Sequence, residues 1–250
     1  MEITRQENGQ VMGSVEFCLD EGIVDDLFVA PKFRRLGIGS SLLKACEEEG
    51  QKEGLPILVC RFHTGEEGMY ELLTHCGWSA PVTYTTLYRF DVSLFNPPWF
   101  DPPPSLPHKY QFFPWRALSP SERALIERQE KSGTFPLELS PIDPDDPYEP
   151  LTSVGLRYEG ELAGWVITHK EGPDKIRYGS FFLYREHRGS GAAAALLTEA
   201  IRLQKISPFR WSFFEVNPLL SPLYWERFAK KRLEPYAMAI EHGLKSWKKI

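Results

Sequence analysis

The sequence predicts an α/β protein built as two related units in tandem. Three observations predict it. A loop-and-helix motif recurs at one fixed offset, strand-like and helix-like periods follow the same order in both halves, and a proline-rich run separates the halves. Residues 29–43 read VAPKFRRLGIGSSLL and residues 183–197 read LYREHRGSGAAAALL. Arg188, Gly191, Leu196 and Leu197 stand 154 positions after Arg34, Gly37, Leu42 and Leu43. The same offset carries Phe28 onto Phe182 and Tyr70 onto Tyr224, and Met12-Gly13-Ser14-Val15 resembles Ala163-Gly164-Trp165-Val166 after a small insertion.

In the first half, residues 11–17 and 24–29 read as strands. A glycine-containing loop and a helix to about Lys52 follow, then a strand at 57–62, a helix at 66–76 and a strand at 83–92. The second half repeats this: strands at 153–158, 164–169 and 176–184, the loop and helix, then strand 211–216, helix 222–231 and strand 235–241. Ala193, Leu196, Leu197, Ala200 and Ile201 form one helical stripe. The second half also opens with a strand at 111–118 and a helix, for which Ser119, Pro120 and Glu122 make a capping box with proline at the first position and Gly133 a stop. The first half lacks both.

Residues 96–109, NPPWFDPPPSLPHK, carry six prolines and read as an extended, semi-rigid connector. The expected division is therefore 1–95, a linker at 96–109, and 110–250. A second proline-rich stretch, 136–150, reads as a surface loop or lid.

With 250 residues, 42% hydrophobic and 25% charged, the chain has globular proportions, and disorder is excluded as an overall description. A net charge of −5 argues against a general nucleic-acid binder. No stretch approaches the roughly 20 apolar residues of a membrane span, and the polar start MEITRQENGQ is not a targeting peptide. Four cysteines without Cys-x-x-Cys spacing and six scattered histidines suggest reduced thiols, a cytoplasmic location and no metal.

The chemistry lies in the loops. In Arg34-Arg35-Leu36-Gly37-Ile38-Gly39-Ser40 a strand ends, the chain turns and a helix begins. Gly37 and Gly39 allow close backbone approach, successive N–H groups point into the turn, and the helix dipole adds positive potential, a setting suited to a pyrophosphate. Lys32, Arg34 and Arg35 add charge. The second copy offers Arg188-Gly189-Ser190-Gly191-Ala192-Ala193, with Arg185 and His187 nearby.

Both loops resemble motif A of the GCN5-related N-acetyltransferase (GNAT) superfamily, Arg/Gln-x-x-Gly-x-Gly/Ala. Asp26-Leu27-Phe28-Val29-Ala30-Pro31 resembles that family's strand end before the loop, and Asn217 and Tyr224 match its Asn…Tyr spacing after it. The resemblance implies two units, the first truncated, each a mixed, mostly antiparallel sheet splayed at its centre and flanked by helices. It implies acetyl-CoA as acyl donor, held by the amides of Arg35 to Ser40 or of Gly189 to Ala194. The N–H of Val29 or Leu183 would polarise the thioester, and a carboxylate, Asp26 or Glu215, would take the amine proton. A tyrosine, Tyr224 or Tyr70, would protonate the departing thiolate, with Asn217 beside the donor. Gly77-Trp78 stands seven residues after Tyr70 where the family spacing is four, and a gapped alignment puts Leu73 there.

Plainer readings accompany these. The loops can be tight turns, both tyrosines can be core aromatics, and Glu215 can be a paired structural acid. Gly189–Ala194 also fits a dinucleotide fingerprint with Glu215 as ribose ligand. Four polar residues between strand and glycines, and only 35 residues after Glu215, argue against it. The expectation is acetyl transfer to an amine on a small molecule or peptide, with the second unit favoured as the catalytic one. The alternative is an acyl-CoA-binding regulatory or structural module with one or both units non-catalytic. Neither nucleic acid nor membrane is expected as a partner, and acceptor and oligomeric state are left open.

Overall fold

The computed structural model describes residues 1–66, 68–101, 103–218, 222 and 225–250. Among these, eleven strands form: β1 Glu2–Glu7, β2 Gln10–Cys18, β3 Ile23–Val29, β4 Ile57–His63, β5 Val82–Asp91, β6 Tyr110–Pro114, β7 Val154–Tyr158, β8 Glu161–Lys170, β9 Lys175–Leu183, β10 Trp211–Val216 and β11 Ala239–Lys249. The α-helices are α1 Ile38–Lys52, α2 Met69–His75, α3 Pro120–Lys131 and α4 Ala192–Lys205, and Trp225–Leu233 forms a wider π-helix. The fold is mixed α/β. Two hairpins open on left-handed pairs, Asn8-Gly9 between β1 and β2 and Glu159-Gly160 between β7 and β8, the backbone that a tight hairpin requires.

The chain divides into two compact units. The first is Met1–Thr86, Asn217–Pro222 and Glu241–Ile250; the second is Leu87–Val216 and Leu223–Ile240. The 1–95 and 110–250 halves of the sequence therefore do not coincide with the units. In the first unit the sheet order is β1-β2-β3-β4-β11 and then the start of β5. The chain's last strand runs antiparallel to β4, from Gly243 opposite His63 to Lys249 opposite Ile57. In the second unit the end of β5 lies next to β10, followed by β9-β8-β7-β6. There Arg210 closes on Asp91 at 2.6 Å, and the Val92 N–H donates to the Arg210 carbonyl.

Each sheet parts at its centre. The parallel pairing of β3 with β4 is confined to Ile23–Val59 and Val24–Cys60, and that of β9 with β10 ends at Tyr178–Phe214. A bulge precedes each parting: the β2–β3 register skips at Asp26–Leu27, and the β8–β9 register skips at Gly179. A bulge bends its strand and ends regular pairing.

Helix α1 covers one face of the first sheet through Leu42, Leu43 and Cys46, which pack with Val15, Phe17, Val24 and Leu58. Strand β2 alternates, with Gly13, Val15 and Phe17 buried and Ser14 and Glu16 turned outward. Its counterpart β8 is buried along both faces. Helix α4 packs on one side, and a second core of Trp115, Ile126, Phe135, Trp165, Ile167 and Phe182 fills the other. Helix α3 supplies part of that cover, and its capping box forms as expected: Ser119 Oγ accepts from the Glu122 N–H, and Glu122 accepts from the Ser119 N–H. Glu122 also holds Arg157 at 2.6 Å.

Several expectations shift. Strand β1 was not anticipated, because EITRQE is a charged edge strand. The last strand lies at 239–249 rather than 235–241, with Glu234–Tyr236 forming a short 3-10 turn. The proline-rich connector is no free spacer: Trp99, Phe100 and Leu106 pack on the second unit's core, and Trp99 Nε1 donates to the Arg232 carbonyl.

Two outcomes follow. Removing residues 239–250 takes the strand that borders β4, so hydrogen exchange in β4 is expected to lose protection while β8 and β9 keep theirs. In the second unit, Arg157 with the Ser119 cap draws Glu122 down to about 2, and Arg210 with Ser93 draws Asp91 to about 2. Both acids ionise more readily folded than unfolded, so their stabilisation is present above about pH 4.5 and is lost as pH falls toward 2. Acid titration of Glu122→Gln, followed by circular dichroism, is expected to show a flatter decline across that window.

Candidate active site

In the first unit, the parting of β3 from β4 opens a cleft of about 1150 Å³. Its walls are the end of β3, the phosphate-type loop with the start of α1, and one face of α2. That volume exceeds the usual few hundred Å³ of small-ligand pockets and suits a long nucleotide-bearing ligand.

The loop takes its shape from two left-handed residues, Arg35 (φ 65°) and Gly37 (φ 79°). Arg34 is extended between strand and loop, and its Nε donates to the Val29 carbonyl at 3.2 Å. The N–H groups of Ile38, Gly39 and Ser40 open the helix, and no acceptor meets them among the described residues. Three free amides at a helix N-terminus, flanked by exposed Arg34 and Arg35, form an anion cradle. Leu36, 66% exposed, plays no part in the wall.

The Ala30 N–H donates to the Met12 carbonyl at 2.9 Å. Alternation along an antiparallel ladder then turns the Val29 N–H away from β2, to the side from which β4 has withdrawn. Asp26 lies on the same cleft wall, exposed and held in the left-handed region at φ 48° by the bulge. A non-glycine residue there is uncommon and marks a constrained position. Burial raises the neighbouring Asp25 above the usual carboxylate range, Arg61 opposes that shift, and Asp26 and Glu21 add to it.

Helix α2 contributes Glu71, Leu72 and His75, which with Gly68 fall at i, i+3, i+4 and i+7 on one face. Glu66 also lines the cleft, and its carboxylate accepts from the His63 N–H. None of these wall residues was anticipated, although the helical spacing was there to be read. Tyr70 is not among them: it is 56% exposed and lies off the wall, and Leu73, the gapped-alignment candidate, is fully buried.

The second unit repeats the framework with different side chains around it. Gly189 (φ 86°) and Gly191 (φ 84°) stand where Arg35 and Gly37 do. Arg188 Nε donates to the Leu183 carbonyl, as Arg34 does to that of Val29. Here Ser190 Oγ accepts from the Ala192 N–H at 3.3 Å and donates to the His187 carbonyl, and Tyr110 shares hydrogen bonds with His187 and Ser190. Ala192 is fully buried, Ala193 half-buried and Leu183 6% exposed. At the position of Asp26, Ser180 is 3% exposed; it donates to the Leu139 carbonyl and accepts from Trp165 Nε1. Glu215 is exposed on β10, Asn217 is half-buried after it, and Tyr224 lies outside the described residues. A void of about 20 Å³ in this unit's apolar core has room for little more than one water.

Two splayed sheets, each with a bulged strand running into an amide-lined loop and helix, define a class of acyl-group transferases. Residues 3–78 and 93–205 match the acetyltransferase (GNAT) family, and the chain belongs to that family. Its fold is similar to that of a GCN5-related N-acetyltransferase from Sphaerobacter thermophilus, at 18% identity and a TM-score of 0.63, over 97% of this chain and 78% of that one. It is similar to a tandem GNAT protein from the clavulanic acid biosynthesis pathway, at 17% identity and a TM-score of 0.61, over 99% and 82% of the two chains. A GCN5-related N-acetyltransferase from Kribbella flavida matches at 16% identity and a TM-score of 0.52, over 82% and 75%. No curated protein matches the chain. No described helix is long and apolar enough to cross a membrane.

The cradle generates one test. Gly37 has open space where a Cβ would sit, so Gly37→Glu keeps the fold at a modest backbone cost and places a carboxylate among the anion-binding amides. Calorimetry with CoA is expected to show binding lost in Gly37→Glu and kept in Gly191→Glu.

Proposed function

We propose that the chain transfers an acetyl group from acetyl-CoA to an amine, and that the first unit is where it does so. The observation that carries this reading is the open cleft in which the free amides of Ile38, Gly39 and Ser40, the Val29 N–H and the Asp26 carboxylate share one wall system. The sequence alone, with its opening strand and helix and the Asn217…Tyr224 spacing, favours the second unit; the capped Ala192 amide and the sealed Ser180 favour it as a non-transferring partner within the chain.

The loop amides and Arg34 and Arg35 hold the diphosphate, which fixes the donor along the gap between β3 and β4. The Val29 N–H faces the thioester carbonyl and stabilises the oxyanion, a contribution of about 100- to 1000-fold in rate for one such donor. The amine nitrogen bonds to the carbonyl carbon, the C–S bond breaks, and CoA leaves as thiolate. Asp26 accepts the proton of the attacking amine, directly or through water. The thiolate takes its proton from solvent after it leaves, and His75 is the histidine on the cleft wall among the described residues. The four cysteines are free. Burial raises Cys46 to about 11 and Cys60 to about 12, so neither buried thiol is a nucleophile at neutral pH.

Following CoA release with a thiol reagent tests the assignment. Asp26→Asn is expected to lower kcat by about 100-fold or more while acetyl-CoA affinity stays within twofold. Undiminished turnover would remove Asp26 as the base.

A further inference from the structure

We propose that the acceptor is a lysine side-chain or N-terminal amine carried on a polypeptide laid across the outer face of the first unit's sheet. This rests on the reading that the first unit performs the transfer. The internal duplication supplies the argument. In the second unit, Trp165, Ile167, Ser180 and Phe182 face away from α4, and the chain's own residues 133–142, together with α3, lie over them. Phe135 packs on Phe182 at 5.2 Å between ring centroids, and the Leu139 carbonyl accepts from both Ser180 Oγ and Trp165 Nε1. A stretch of polypeptide thus crosses the strand at the ladder position that corresponds to Asp25, next to the bulged Asp26.

Among the described residues the first unit has no counterpart of that cover. By ladder pairing Ser14, Glu16, Asp25 and Phe28 hold the four equivalent positions, with Asp26 in the bulge beside them, and Phe28 is 51% exposed where Phe182 is 7% exposed. A small amine gains affinity by being enclosed on most of its surface, and a sheet face that opens into a cleft of about 1150 Å³, with Asp26 and Phe28 on its wall, gives little such enclosure. A polypeptide gains it by spreading contact over area, with an exposed aromatic as anchor.

The face also calls for a cation. Glu2 and Glu16 stand directly opposite each other across β1 and β2, a repulsive pair for which the described residues provide no cationic partner. Glu16 in turn stands opposite Asp25, beside Asp26. Glu16, Asp25 and Asp26 are thus neighbours near the point where the amine must arrive, with Arg61 acting on Asp25, and Glu2 extends the acidic surface beyond Glu16.

The test uses the full chain with acetyl-CoA and three acceptors: a twelve-residue unstructured peptide with one central lysine and a free N-terminus, spermidine, and glucosamine. Thiol release gives kcat and KM, and mass spectrometry locates the acetyl group. The peptide is expected to exceed both small amines at least 100-fold in kcat/KM. In Glu16→Lys the peptide KM is expected to rise at least tenfold, with CoA affinity by calorimetry unchanged and thermal stability equal or higher, because the pair with Glu2 becomes attractive. Spermidine or glucosamine turned over as well as the peptide overturns the inference, as does an unchanged peptide KM in Glu16→Lys. CoA bound but no peptide acetylated overturns it while sparing the donor site; no CoA binding at all sinks the underlying reading with it.

Discussion

The separation of β3 from β4 is the constraint on which the first unit depends. Two rungs join the strands, and then the bulge at Asp26–Leu27 turns β3 aside. Continued pairing would give the Val29 N–H a backbone acceptor on β4 and would close the volume now open to a ligand. The loop after β3 completes the effect. Left-handed Arg35 and Gly37 bring the first amides of α1 around to the same gap. One interruption in a sheet thus creates a slot, a polarising amide and an anion cradle, all from main-chain atoms.

The second unit keeps the same framework with different side chains. Its bulge, its αL pair and the arginine-to-carbonyl hydrogen bond at the strand end are all retained. What differs is side-chain chemistry. Serine at 190 supplies an acceptor for a loop amide, and serine at 180 ties down a covering segment where aspartate stands in the first unit. The cover brings aromatic bulk, so β8 needs no polar face and is buried along its length. The shared main-chain framework thus carries two different sets of side chains.

The loops were legible in the sequence because left-handed turns and close approach demand glycine, and glycine stands out at Gly37, Gly39, Gly189 and Gly191. The αL residue at 35 was not legible, since an arginine gives no sign of it. The α2 wall was readable only once its facing was known: Glu71, Leu72 and His75 follow helical spacing, but their periodicity does not say whether the face meets a core or a cleft. Strand β1 escaped notice because an edge strand is protected by the charges that make it look like a loop. The proline run looked like a spacer, yet its aromatics Trp99 and Phe100 carry the information that matters, which is where they pack.

The place of β11 could not be read from pattern at all, because an amphipathic strand fits any open edge of suitable polarity. Its position has a physical logic. Strand β4 gives up most of its hydrogen bonding to β3 so that the cleft can open, and a strand held by two rungs on one side leaves its far end unsupported. Seven residue pairs with β11 hold its other edge, from Ile57 to His63, along the full length of β4. Lys248 of β11 adds hydrogen bonds to Glu47 on α1 and to the Cys76 carbonyl after α2, which fasten the strand to both helices of the cleft. The chain's C-terminus thus stabilises the wall that its N-terminal half cannot hold alone, and the gap on one side of β4 is sustained by the completeness of the ladder on the other.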